Sequence, residues 1–169
     1  MKDKQYLAYY AAPMLFLLML VDTQLTQIFS NVTENVYVAN SHLFLIALMV
    51  GCQVLPKRYM LLTGLVLGLL FDSYYIGVIG IYAVTIPGII WLMYVLRDIL
   101  YSSIFTMFFG TVILVTVYEI LPLAIQVLFN LTSVKVSLFA SRFLGPTLLI
   151  NLLLFVLFIF PFKRLFGTK

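Results

Sequence analysis

The chain is short of charge. Only 9% of its 169 residues are Asp, Glu, Lys or Arg, where a soluble domain carries roughly 25%. That shortage excludes a fold that lives in water. There is one cysteine, which excludes an internal disulfide. Cys52 lies in an apolar run and is expected as a small core residue. There is one histidine, and His42 without a second histidine or a cysteine pair excludes a recognisable metal motif. The chain lacks a glycine-rich phosphate cradle and a nucleophile–base pair with usable spacing. No catalytic residue, no metal ligand and no cofactor can be named, and nothing argues for an enzyme. The net charge of +4 is no sign of nucleic acid, because the basic residues stand at helix ends, where membrane topology accounts for them.

What the chain has is apolar length. Hydrophobic residues make up 64% of it, and the mean hydropathy is +1.14. A membrane span needs about 20 such residues. Apolar runs and polar breaks predict an all-α, polytopic membrane protein, one integral domain over residues 1–169. The spans fall at roughly 6–29, 38–55, 59–72, 77–96, 101–129 and 138–162. The third is short and could be tilted, re-entrant or continuous with the turn at Asp72; the fifth is long and could be tilted or broken near Pro122. The pairs Pro87-Gly88 and Gly145-Pro146 predict kinks inside their spans. The start of the chain imitates a signal peptide, but no small-residue cleavage site follows, so a retained first span is expected.

Charge orients the bundle. With both termini cytoplasmic, Lys2, Lys4, Lys57, Arg58, Arg97, Lys163, Arg164 and Lys169 lie inside, eight of ten basic residues. Lys135 and Arg142 are left outside. The opposite orientation would violate the preference for positive charge on the cytoplasmic side. Asp22, Glu34, Asp72 and Glu119 then fall in the outer half. The connections are too short for a soluble domain.

Two groups of residues stand out. The first is Gly64, Gly68, Asp72, Tyr74, Tyr75, Gly77 and Gly80. Glycines four apart share a helix face and let another backbone approach closely. That face could seat a neighbouring helix of the same chain or a partner protein. Asp72 with Tyr74 and Tyr75 could end a helix at the membrane boundary, tether a helix, or meet a partner near water. The second group is Asp22, Glu119 and Arg142. A charge within a span costs roughly 2.5–3.5 kcal/mol on insertion scales, and such groups turn inward and pair. An Arg142–Glu119 or Arg142–Asp22 ion pair is expected, with a ligand site or proton relay as the alternative.

The run Gly64-x-x-x-Gly68-Leu-x-x-Asp72, followed by Gly77-x-x-Gly80, resembles the signature of the bacterial rod shape-determining family MreD. The first-span ending Val21-Asp22-Thr23-Gln24-Leu25-Thr26 is similar to its Gram-positive branch. The resemblance implies a non-enzymatic subunit of the cell-elongation machinery in the plasma membrane, surrounded by lipid. Its implied partners are the bitopic protein MreC, a RodA-type glycosyltransferase and a class B penicillin-binding protein. It also implies a six-helix fold similar to the substrate-binding subunits of energy-coupling-factor (ECF) vitamin transporters. Such a subunit is the rival function; Ala8-x-x-x-Ala12 matches the spacing those subunits use for docking. Against it, few convergent polar side chains are available for a vitamin pocket.

Overall fold

The computed structural model describes residues 2–34, 38–132 and 139–167. Helices account for nearly all of them, and no strand occurs among the described residues. In chain order they are α1 (Lys2–Val32), α2 (Leu43–Val54), α3 (Lys57–Phe71), α4 (Ile81–Val95), α5 (Arg97–Leu100), α6 (Ile104–Leu128) and α7 (Gly145–Leu165). Wide π-type turns at Asp72–Ile76 and Ala140–Leu144 extend α3 and lead into α7. The segments Leu7–Val32, Ile104–Leu128 and Ala140–Leu165 are long and apolar enough to cross a membrane, and α2 and α4 are shorter apolar helices. The protein is an all-α polytopic membrane protein.

The short helix α2 is the axis of the bundle. Every residue from Leu43 to Cys52 is buried, because the segment is apolar on all sides and has no face to offer water. Helices α1, α4, α6 and α7 surround it. Its 12 residues rise only about 18 Å at 1.5 Å each, well short of a hydrocarbon core about 30 Å thick. The expected run from residue 38 is therefore helical only from Leu43. Residues 38–42 enter the bundle as irregular backbone.

The far end of α2 is closed by hydroxyls and one guanidinium. Tyr101 donates to the Met49 carbonyl at 2.7 Å, Tyr94 to Leu55 at 2.7 Å and Arg97 to Gln53 at 3.1 Å. The bonds to Gln53 and Leu55 satisfy carbonyls at and beyond the helix end, and the Met49 carbonyl, still inside α2, takes Tyr101 as a further donor. Phe166, after Lys163 and Arg164, is buried against Gly51 at the same end. Lys57, Arg58, Arg97, Lys163 and Arg164 thus gather opposite the end holding Asp22, Asp72 and Glu119, while Arg142 stands at the acidic end. Lys135 and Lys169 lie outside the described residues.

Two expected interruptions resolve differently. Helix α6 runs unbroken through Pro122. Gly145-Pro146 instead marks the passage from the π-type turn into α7, with the proline in the first helical turn, where its missing N–H costs least. Pro146 leaves the carbonyl of Arg142, four residues back, without its helical donor. That carbonyl accepts from the Val38 N–H at 3.1 Å instead.

Candidate functional site

Two aspartates hold the starts of two helices. Asp72 is fully buried, at 0% exposure. Its carboxylate accepts from the N–H groups of Gly80 at 2.8 Å, Tyr82 at 2.8 Å and Ala83 at 3.0 Å. These are first-turn donors of α4, which have no helical acceptor of their own. Gly77 (φ 73°) and Gly80 (φ 119°) take left-handed backbone that reverses the chain between the two helices. Asp72 is thus the helix tether, and the expectation of a carboxylate near water, open to a partner, is corrected.

Gly64 and Gly68 serve the same hairpin. A Cβ on Gly68 would lie 2.4 Å from the Tyr82 carbonyl oxygen and 2.7 Å from Ala83 Cα. A Cβ on Gly64 would lie 2.3 Å from Ile90 Cδ1. The glycine face is filled by α4, so it is not the surface offered to a partner. Tyr74 is 87% exposed and Tyr75 39% exposed, both turned away from that seam.

Asp22 does for α2 what Asp72 does for α4, across a longer stretch of chain. One oxygen accepts from Leu43 N–H at 2.8 Å and the Ser41 hydroxyl at 2.7 Å; the other accepts from Phe44 N–H at 2.7 Å. The irregular backbone before α2 is satisfied piece by piece. Asn40 N–H donates to Thr147 Oγ1 at 3.1 Å, Ser41 N–H to Thr26 Oγ1 at 3.0 Å and His42 N–H to Asn151 Oδ1 at 2.8 Å. The amide of Asn151 donates to the Asn40 carbonyl at 2.7 Å. Non-helical backbone at membrane depth is tolerated only where protein or a wet cavity meets its polar groups. Here α1 and α7 supply those groups.

Glu119 comes in from α6. Its Oε1 accepts from Asn40 Nδ2 at 2.7 Å and lies 2.8 Å from His42 Nε2. His42 also meets the Tyr118 ring edge-on, with centroids 4.8 Å apart. The expected ion pair of Arg142 with Glu119 or Asp22 is absent. The Arg142 side chain is exposed, and both carboxylates are occupied by other groups. The physical reason is the π-type turn, which places residue 142 ahead of α7 at the rim while Thr147 and Asn151 turn inward.

Asp22, Asn40, Ser41 and His42 line one side of an open cavity of about 200 Å³, with Glu119, Thr147 and Asn151 behind them. Its walls are Asp22, Thr23 and Thr26 from α1, Asn40, Ser41 and His42 from the irregular segment, and Phe71, Tyr82 and Tyr118. Sequence reasoning reached Asp22 and Glu119 but passed over Asn40, Ser41, Thr147 and Asn151, and it gave His42 no role. Signals were present. Asn40-Ser41-His42 is a polar triplet within an expected span, and Thr147 and Asn151 are polar positions four apart in an otherwise apolar run.

The family model for the rod shape-determining protein MreD matches residues 4–168. The cell shape-determining protein MreD of Streptococcus pneumoniae (strain ATCC BAA-255 / R6) is 24% identical over 145 residues, covering 86% of this chain and 88% of the relative. No solved structure matches the chain.

Proposed function

The chain belongs to the rod shape-determining MreD family, a family of cell-shape determination, and from this we propose that it works without catalysis, as a scaffold of the elongation complex. In this reading it holds the single span of an MreC-like bitopic protein. A RodA-type glycosyltransferase and a class B penicillin-binding protein join the same complex, which organises lateral peptidoglycan synthesis. The protein crosses the plasma membrane several times with both termini cytoplasmic, which places the basic end of the bundle inside.

The observation that carries the reading is the groove between α1 and α3. Phe16, Met19, Leu20, Leu70 and Phe71 line a cleft of about 260 Å³, with Tyr74 and Tyr75 at its outer rim. The polar chemistry of the chain is turned inward, so activity toward a partner rests on apolar faces and short turns. Helix association in a bilayer depends on close van der Waals contact, and a cleft offers more of it than a convex helix. The tyrosines suit the point where a partner's span leaves the membrane.

Filling the cleft tests this. Leu70→Trp should lower recovery of the tagged partner about fivefold relative to folded protein, about the loss of 1 kcal/mol of contact. Leu153→Trp, on an exposed face of α7, should leave recovery unchanged. Undiminished recovery with Leu70→Trp would move the contact to another face.

A further inference from the structure

The cavity beside Asp22 has a chemistry that scaffolding does not use. Tyr118 is only 7% exposed and lines it, yet its hydroxyl makes no hydrogen bond among the described residues. The Tyr82 hydroxyl, on the same wall, is also without a partner there. His42 spends Nε2 on Glu119, at 2.8 Å. Both hydroxyls are open to the cavity and not sealed in protein, so each keeps a donor and an acceptor for a bound species or water.

We propose that this cavity binds an organic ammonium group, carried by a soluble amine or by a lipid headgroup. Three properties select that chemistry. The first is charge. The Asp22 carboxylate lines the cavity, Glu119 stands behind its wall against His42 and Asn40, and His42 brings at most one positive charge. The start of α2 adds only about half a charge, and Asp22 already caps it. The balance is negative, so an anion is disfavoured.

The second property is a continuous aromatic wall. Phe71 and Tyr82 lie 4.7 Å apart between ring centroids, Tyr82 and Tyr118 5.8 Å, and Tyr118 and His42 4.8 Å. Aromatic faces attract cations, more strongly when water is excluded. The third is the supply of acceptors. The Asp22 carboxylate and the free tyrosine oxygens can receive N–H donors. Thr23 donates its own proton to the Met19 carbonyl at 3.1 Å, so its oxygen also remains an acceptor. A metal ion fits less well, because no group of three or more His, Cys, Asp or Glu able to hold one occurs among the described residues.

This inference is independent of the partner groove, which lies on another set of side chains apart from Met19 and Phe71. The test uses the full chain in nanodiscs. Tetramethylammonium and ethanolamine are titrated against thermal unfolding, with acetate as the anion control at equal ionic strength. In parallel, discs with equal phosphatidylethanolamine and phosphatidylglycerol are analysed by native mass spectrometry for lipid retained on the protein. A soluble source predicts protection by the two amines and none by acetate. A lipid source predicts selective retention of phosphatidylethanolamine.

In either case Tyr118→Phe, which keeps the ring and removes the free hydroxyl, should weaken binding about threefold. Asp22→Asn should weaken it about tenfold, as loss of a charge-assisted contact. If Asp22→Asn does not fold, Tyr118→Phe and Tyr82→Leu decide the matter. Absence of both protection and selective retention overturns the proposal, as does binding that ignores the tyrosine variants or an equal effect of acetate.

Discussion

Asp72 and Asp22 perform one physical task in two settings. Each presents a carboxylate to the free N–H groups at the start of a short apolar helix. Asp72 reaches donors only 8 to 11 residues ahead, across a turn that its own glycines reverse. The turn itself is exposed, but the carboxylate beneath it has no exposure. Asp22 reaches donors 19 to 22 residues ahead, and the segment between depends on α6 and α7 as well. Its surroundings are a cavity with unpartnered hydroxyls. A local cap can be sealed by one hairpin. A cap assembled from four parts of the chain leaves space where they meet, and that space is where ligand chemistry becomes available.

The comparison predicts unequal costs. Asp72→Ala strands three donors inside the hairpin, and it should destabilise the fold by about 3–9 kcal/mol, at 1–3 for each unmet group. Asp22→Ala strands two backbone donors and a hydroxyl beside a cavity that can admit water. A cost of about 2–3 kcal/mol is expected. Thermal unfolding of both variants in one detergent ranks them, and a larger loss for Asp22→Ala would break the distinction between sealed and open ends.

The hairpin that Asp72 seals can be probed from its other side. Gly68→Ala sets a methyl against the α4 backbone, which cannot step aside, and should cost about 3 kcal/mol. Gly64→Ala meets the end of the Ile90 side chain, which can change rotamer, and should cost about 1 kcal/mol. Equal melting temperatures for the two would show that α3 and α4 are not held in close backbone contact at Gly68.

The smallest effect belongs to the cation that sequence reasoning placed at the centre. Arg142→Leu should leave the melting temperature unchanged, since the exposed guanidinium serves neither Asp22 nor Glu119. The contribution of this residue to the site is its backbone carbonyl, which the substitution keeps. A marked loss, recovered by combination with Glu119→Leu, would restore the ion pair and undo the account of the π-type turn.

The sequence by itself determined the class of the protein and part of its inner packing. Scarce charge and long apolar runs leave a helical membrane protein as the workable solution, because every backbone polar group must find a partner inside the bilayer. The Gly64–Gly68 spacing announced a close helix contact, and the segregation of acids from bases announced two unlike ends. Tertiary structure decided who meets whom. The glycine face turned out to serve α4, and Asp72 to be buried, since the hairpin folds back on itself more tightly than spacing alone reveals. His42 gained its role from Glu119, 77 residues away, and from Asn151, 109 residues away. Arg142 lost its role to a turn ahead of Pro146. Periodicity and local spacing report which side chains share a face. They do not report which distant face closes over it, and at membrane depth that closure decides whether a polar group is a cap, a wall of a cavity or a bystander.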